Sequence, residues 1–203
     1  MTSTPSASGP RDVQATEGRF AIPRLVTARL LLRAFVADDL DPYAAMNADP
    51  EMSRYTGGTI DRTATWRLMA MLLGHWDLRG YGMWAMVERA TGRFIGRAGL
   101  YNQEGWPGLE VAWTVARDRW GNGYATEAGE AALNHAFTEL GANHVISVIH
   151  PENARSIAVA KKLGETPEST TELNGEPRVI YGISARTWRA RRSTPAAQQS
   201  QRT

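Results

Sequence analysis

One segment constrains the fold more than any other. Small or apolar residues fall at 129, 132, 133, 136, 137 and 140, the i, i+3, i+4, i+7, i+8, i+11 series of a single helical face. The stretch GLEVAWTV (108–115) precedes this helix of 124–140, and HVISVIH (144–150) follows it. The second stretch is apolar through its centre, as a strand buried on both faces would be. Strand, helix and strand of these lengths make a crossover unit, so strands 108–115 and 144–149 are expected to run parallel. Gly141 stands where the helix would end.

The crossover opens with RDRWGNGYATEA (117–128), in which Gly121 and Gly123 flank Asn122. Glycines at the mouth of a helix let the backbone approach a bulky anion with no Cβ in the way. The unpaired amides and the positive dipole end there suit a phosphate. A tight strand-to-helix turn with no ligand is the competing reading. The dinucleotide fingerprint is not met, because Thr126 occupies the third small position and no acid ends the next strand, where His150 and Pro151 stand. No Gly-Lys-Ser/Thr follows, so the kinase-type phosphate loop fails too.

The rest of the order is readable. RLVTARLLLRAF (24–35) reads as a strand, 37–46 as a short helix and 61–73 as a second helix. GMWAMVE (82–88) and RFIGRAGLY (93–101) flank the turn signal ATG as a hairpin, with 108–115 next in an antiparallel meander. Asn153 opens a further helix closed by Gly164, and 178–185 is the last expected strand. The Ser, Thr, Pro and Ala of 1–19 and the composition of 190–203 predict disordered tails around one domain of 20–189.

Composition narrows the chemistry. Cysteine is absent, which removes disulfides, thiolate nucleophiles and cysteine metal sites. His75, His135 and His144 show no ligand spacing, so no metal is expected. No apolar run reaches a membrane span, and the N-terminal residues lack the apolar stretch of a secretory signal, so a cytoplasmic protein is expected. Residues 186–203 carry five arginines and no acid, so the net charge of +2 belongs to that end. A solvated terminus is the simpler reading of it, and nucleic acid is not an expected partner.

Trp120-Gly121-Asn122-Gly123-Tyr124-Ala125, continued by Thr126-Glu127-Ala128, resembles the Gln/Arg-x-x-Gly-x-Gly/Ala signature of the GNAT N-acetyltransferases. Asn153-x-x-Ser156, Lys162-Leu163-Gly164 and the opening TARLLLRAF with DDL soon after add to the likeness, which spans about residues 24–185. Within the family the chain looks like the branch of ribosomal-protein N-terminal acetyltransferases. Two departures stand out: Trp120 where Gln or Arg is usual, and Glu165 where an aromatic usually follows Lys-Leu-Gly.

The resemblance implies an α/β (α+β) fold: a mixed, mostly antiparallel sheet of six to seven strands, its central parallel strands splayed, with helices on both faces. It implies acetyl-coenzyme A as co-substrate, a primary amine as acceptor (a protein N-terminus or a small molecule) and no metal. A monomer or homodimer is expected. The main chain of Trp113, Thr114 and Val115 would pair with the pantetheine arm. The amides of Gly121, Asn122, Gly123, Tyr124, Ala125 and Thr126 would hold the pyrophosphate, with Arg119, Lys161 and Lys162 as possible partners of the outer phosphate.

Glu110 interrupts an apolar strand and is the expected base; His150 is an alternative. Ser156, in the first turn of its helix, is the candidate for the leaving sulfur, and Asn153 would cap that helix and reach the pantetheine amides. Tyr124 could donate to the sulfur or pack under the loop. Tyr101, Trp84, Trp106 and Trp113 could wall an acceptor pocket, and Glu51, Asp77, Glu104 and Glu110 could draw a cationic amine. A non-catalytic acyl-CoA-binding module, a nucleotide-phosphate binder and an acyltransferase using a longer acyl group are the competing functions.

Overall fold

Eight strands form one sheet in the order β1-β2-β3-β4-β5-β6-β8-β7. The computed structural model describes residues 21–193. The strands are β1 (Leu25–Val26), β2 (Leu30–Arg33), β3 (Met83–Glu88), β4 (Phe94–Tyr101), β5 (Glu110–Val115), β6 (His144–Ile149), β7 (Thr166–Leu173) and β8 (Glu176–Ser184). The helices are α1 (Leu40–Asn47), α2 (Pro50–Ser53), α3 (Arg62–Arg79), α4 (Tyr124–Thr138), α5 (Ala154–Leu163) and α6 (Ala185–Ser193). The sheet is antiparallel except where β5 meets β6, and the crossover through α4 makes that pair parallel, as the sequence pattern predicts.

One layer lies on each face. Ala128, Ala132, Leu133, Ala136 and Phe137 of α4 pack with Trp84, Ala98, Leu100, Val111 and Val145 of the sheet. Three alanines on this stripe bring the helix close to the strands. A Cβ at Gly129 would meet the Leu163 side chain at 2.8 Å, so the bare glycine lets α5 nestle against α4. The opposite face is covered by Leu40 and Tyr43 of α1 and Met69 and Leu72 of α3, against Met83 and Ala85.

Three expectations shift. The strand count exceeds the six or seven expected, because the single strand expected at 24–35 turns back on itself as β1 and β2, paired antiparallel, and because 166–173 forms β7, paired to β8 at the sheet edge. Helix α3 passes residue 73 and ends at Gly80, which takes the left-handed C-cap conformation at φ 75°. Helix α6 runs to Ser193, so the first four residues of the expected 190–203 tail are helical. The remaining tail residues, 1–20 and 194–203, lie outside the described residues.

Candidate active site

Strands β5 and β6 share a single backbone register pair, Glu110 with Ile146. The Ile146 N–H donates to the Leu109 carbonyl at 2.8 Å. The next rung of a parallel ladder would join the Val148 N–H to the Val111 carbonyl. Two side chains replace it. Glu110 Oε1 accepts the Val148 N–H at 3.1 Å. On the other face of the sheet, Ser147 Oγ donates to the Val111 carbonyl at 2.9 Å. Beyond this point the strands part.

The edge left open belongs to β5. The Leu109 and Val111 carbonyls face β6, so alternation turns the backbone groups of Trp113 and Val115 the same way. The Val115 carbonyl is taken by the Trp120 indole N–H at 2.7 Å. Trp120 thus ties the glycine loop to the end of β5, and the Arg155 guanidinium lies 4.2 Å over its ring. That is the structural role of the residue standing in place of Gln or Arg.

The loop itself presents bare backbone. Gly121 and Gly123 hold φ of 77° and 80°, the left-handed region that other residues enter at a cost. Gly123 caps α4 with no side-chain hydrogen bond. The first bond of the helix runs from the Glu127 N–H to the Gly123 carbonyl, so the amides of Tyr124, Ala125 and Thr126 precede it. A Cβ on Gly121 would meet nothing within 4 Å, and one on Gly123 only an arginine nitrogen at 3.5 Å. The space before these amides is open.

Glu127 and Asn122 fix the loop from behind. Glu127 accepts from Thr27 Oγ1 at 2.5 Å and from Arg29 Nε at 2.7 Å, and the Asn122 amide donates to the Arg119 and Trp120 carbonyls. Tyr124 donates its hydroxyl to Glu88 at 2.6 Å, which ties the start of α4 to the end of β3.

Two cavities meet at the splay. The smaller, about 350 Å³, runs along Trp113–Val115, the glycine loop and the face of α5, with Arg155 and Lys162 on its wall. The larger, about 880 Å³, contains Glu110, Tyr101, Trp106, Arg97 and His150. Trp113, Thr114, Asn153 and Ser156 line both. The structure therefore brings Glu110, Ser156, Asn153, the β5 edge and the glycine loop together. Arg119 lines the smaller cavity but is engaged by Asp118 and Glu88, and Lys161 lines neither.

Asn153 Oδ1 accepts the Ser156 backbone N–H at 3.1 Å, which makes it the cap of α5. The cap uses the Ser156 amide and leaves its hydroxyl spare. His150 stacks on Tyr55 at 5.0 Å and accepts from the Glu152 N–H, a structural engagement. Trp84 is wholly buried in the core, not a pocket wall. The acids expected to draw a cationic amine are mostly spent. Glu51 pairs with Arg155 and Arg54, Glu104 with Arg79, and Asp77 lines neither cavity.

Glu110 is 7% exposed. Burial pushes its carboxyl up to about 7, against the pull of the Val148 N–H, the Trp106 indole and the Arg97 charge. Its second oxygen accepts from Trp106 Nε1 at 2.8 Å. Each oxygen keeps a lone pair, so the group can take a proton near neutral pH.

A second buried acid lies behind the splay. Glu165, only 2% exposed, sits 3.1 Å from Ser147 Oγ, and its other oxygen has no partner. Burial pushes it up to about 8, with Glu110 and Glu168 adding to the rise. One hydroxyl proton cannot serve both the Val111 carbonyl and Glu165. A neutral Glu165 that donates to Ser147 Oγ resolves the conflict and leaves Ser147 free to hold Val111. The sequence marks Glu165 only as a departure from the family pattern, with no signal of its burial.

Comparison with known proteins agrees with this geometry. A family model described as an acetyltransferase (GNAT) domain matches residues 29–166. YkkB, an uncharacterized protein of Bacillus subtilis (strain 168), is 32% identical over 166 residues, which is 78% of this chain and 94% of YkkB. The crystal structure of an acetyltransferase from Agrobacterium tumefaciens is similar at a TM-score of 0.74 and 32% identity, over 81% of this chain and 95% of that one. The Ribosomal-protein-S5-alanine acetyltransferase from Vibrio fischeri shares the fold at a TM-score of 0.67 and 14% identity, over 82% and 98% of the two chains.

Proposed function

Since the chain belongs to the GNAT family of acetyltransferases, we propose that it transfers an acetyl group from acetyl-coenzyme A to a primary amine, both bound at once. The observation that carries this reading is the absent rung between β5 and β6, beside a helix N-terminus with free amides. An extended amide-bearing arm fits the open β5 edge, and a diphosphate fits the amides of Gly121–Thr126. Arg155 and Lys162, on the same wall, suit an outer phosphate.

Acetyl-coenzyme A supplies the activated acyl group; the chain's own residues supply position and protons. Glu110 takes the proton from the amine in the larger cavity, and its carboxyl near 7 is matched to that task. The Trp106 and Val148 hydrogen bonds hold the carboxylate still while it does so. The Ser156 hydroxyl, in the first turn of α5, provides a donor where charge develops on the leaving sulfur. Asn153 fixes that turn.

Calorimetric titration with acetyl-CoA, then with ATP, tests the binding half of the proposal. Heat with the first alone supports it, and binding of ATP in its place contradicts it. Release of CoA thiol on addition of a primary amine tests the other half.

A further inference from the structure

Arg97 has no place in the chemistry above. It sits on β4, opposite Thr114 of β5, and lines the larger cavity but not the smaller. It is half-buried. Among the described residues no carboxylate lies within ion-pair distance of it. The other half-buried arginines do have such partners: Arg33 with Asp39, Arg119 with Asp118, and Arg178 with Glu176. Its charge is nonetheless felt at Glu110, Tyr101 and Tyr43, which places the guanidinium on the side of the cavity that holds the base. The Tyr43 hydroxyl on the same face is the neutral polar group beside it.

A half-buried guanidinium with no carboxylate beside it costs stability unless something else offsets it. The rest of the cavity does not. Glu176 is satisfied by Arg178 at 3.0 Å. Arg54 faces Glu51 at 3.9 Å. Glu110 is the remaining acid, and it is engaged by Trp106 and Val148. Those two bonds come from neutral donors and leave the Glu110 charge available to an amine, while the Arg97 guanidinium has no carboxylate of its own, so the cavity suits a ligand that carries an amine and an anion together better than a polycation.

We infer that the acceptor is an amine that also carries a carboxylate, its amine at Glu110 and its carboxylate on the Arg97 guanidinium. This rests on the acetyltransferase reading of the site and narrows it. A free amino acid meets the requirement; a polyamine, an aminoglycoside and the N-terminus of a long peptide do not. The planar fork of arginine matches a carboxylate through two parallel hydrogen bonds. Transfer forms the N–C bond of an amide and breaks the C–S bond of the thioester. The amine proton passes to Glu110 and the thiolate leaves as CoA.

The test measures CoA release by the wild-type protein at saturating acetyl-CoA. The acceptors are α- and ω-amino acids, the matching amino-acid amides, a polyamine, and a short peptide with free N-terminus and amidated C-terminus. At least one amino acid is expected to exceed its own amide in kcat/KM by about 10- to 100-fold, the worth of a charge-assisted pair. Arg97→Met should remove that preference through KM, read as the acid-to-amide ratio at a pH well above 7 where Glu110 is ionised in both proteins; Arg97→Lys should keep part of it. Amides, the polyamine or the peptide turning over as well as the acids would overturn the carboxylate assignment and leave the acetyltransferase standing. Equal loss on acids and amides in Arg97→Met would also overturn the assignment. No CoA release with any amine would overturn both.

Discussion

Glu110 Oε1 accepts the backbone N–H of Val148 at 3.1 Å across the gap between two parallel strands. A side chain there occupies the station of a main-chain carbonyl. Ser147 does the same on the other face by holding the Val111 carbonyl. The splay is thus built by side chains that satisfy the two groups its opening would orphan. The residue best placed to accept a proton is also one that keeps the strands apart.

Replacing that residue separates its two duties. Glu110→Gln keeps the size and an acceptor oxygen for Val148 but abolishes proton acceptance. We expect CoA release to fall by about 10²- to 10⁴-fold with acetyl-CoA affinity little changed. The wild-type kcat/KM should rise with pH through about 7, since the base works deprotonated and its carboxyl titrates there. The variant should lack that limb. A full limb in Glu110→Gln would assign the base elsewhere.

Glu165 makes stability depend on pH in an unusual direction. Its folded carboxyl lies near 8, above the ordinary glutamate value, so the stability it lends is complete below about pH 4.5. It is lost as pH rises through about 8. Denaturant unfolding across that window should show the wild type losing stability relative to Glu165→Gln, by an amount on the order of a few kcal/mol at most. A pH-independent difference between the two would mean that Glu165 is charged in the fold.

Ser156→Ala should lower kcat by about tenfold or more and leave the thermal midpoint nearly unmoved. The cap of α5 uses the Ser156 amide and not its hydroxyl. A drop in midpoint with kcat intact would make the hydroxyl structural.

Gly123→Val tests the loop. The residue holds φ of 80°, so the variant is strained wherever it is placed. A Cβ there meets only Arg29 in the protein, so the main collision is with whatever lies before the amides. We expect weaker acetyl-CoA binding by calorimetry at a temperature where the variant is shown folded. Unchanged affinity would dissociate the loop from the diphosphate.

Legibility followed local pattern. The crossover was readable because α4 keeps a strict apolar face and β6 an apolar centre. Glu110 was readable because an acid in an apolar strand is conspicuous. Strand β7 was not: TPESTTEL is exposed along most of its length and carries a proline, so nothing separates it from a loop until β8 pairs with it. Helix α3 continues past residue 73 through Gly74 and ends only at Gly80, the second of two glycines that local pattern does not tell apart. The burial of Glu165 and the isolation of Arg97 come from what other segments fail to offer them, which no window of sequence contains. The bond from Tyr124 to Glu88, 36 residues away, is likewise invisible to a local window.

The central claim is that the open β5 edge and the glycine loop receive one ligand together. Amide resonances followed during titration with acetyl-CoA test it most directly. The account predicts saturable shifts at Trp113, Val115 and Gly121–Thr126, with none at these positions on adding ATP. Absence of binding, or shifts confined to other parts of the sheet, would contradict it.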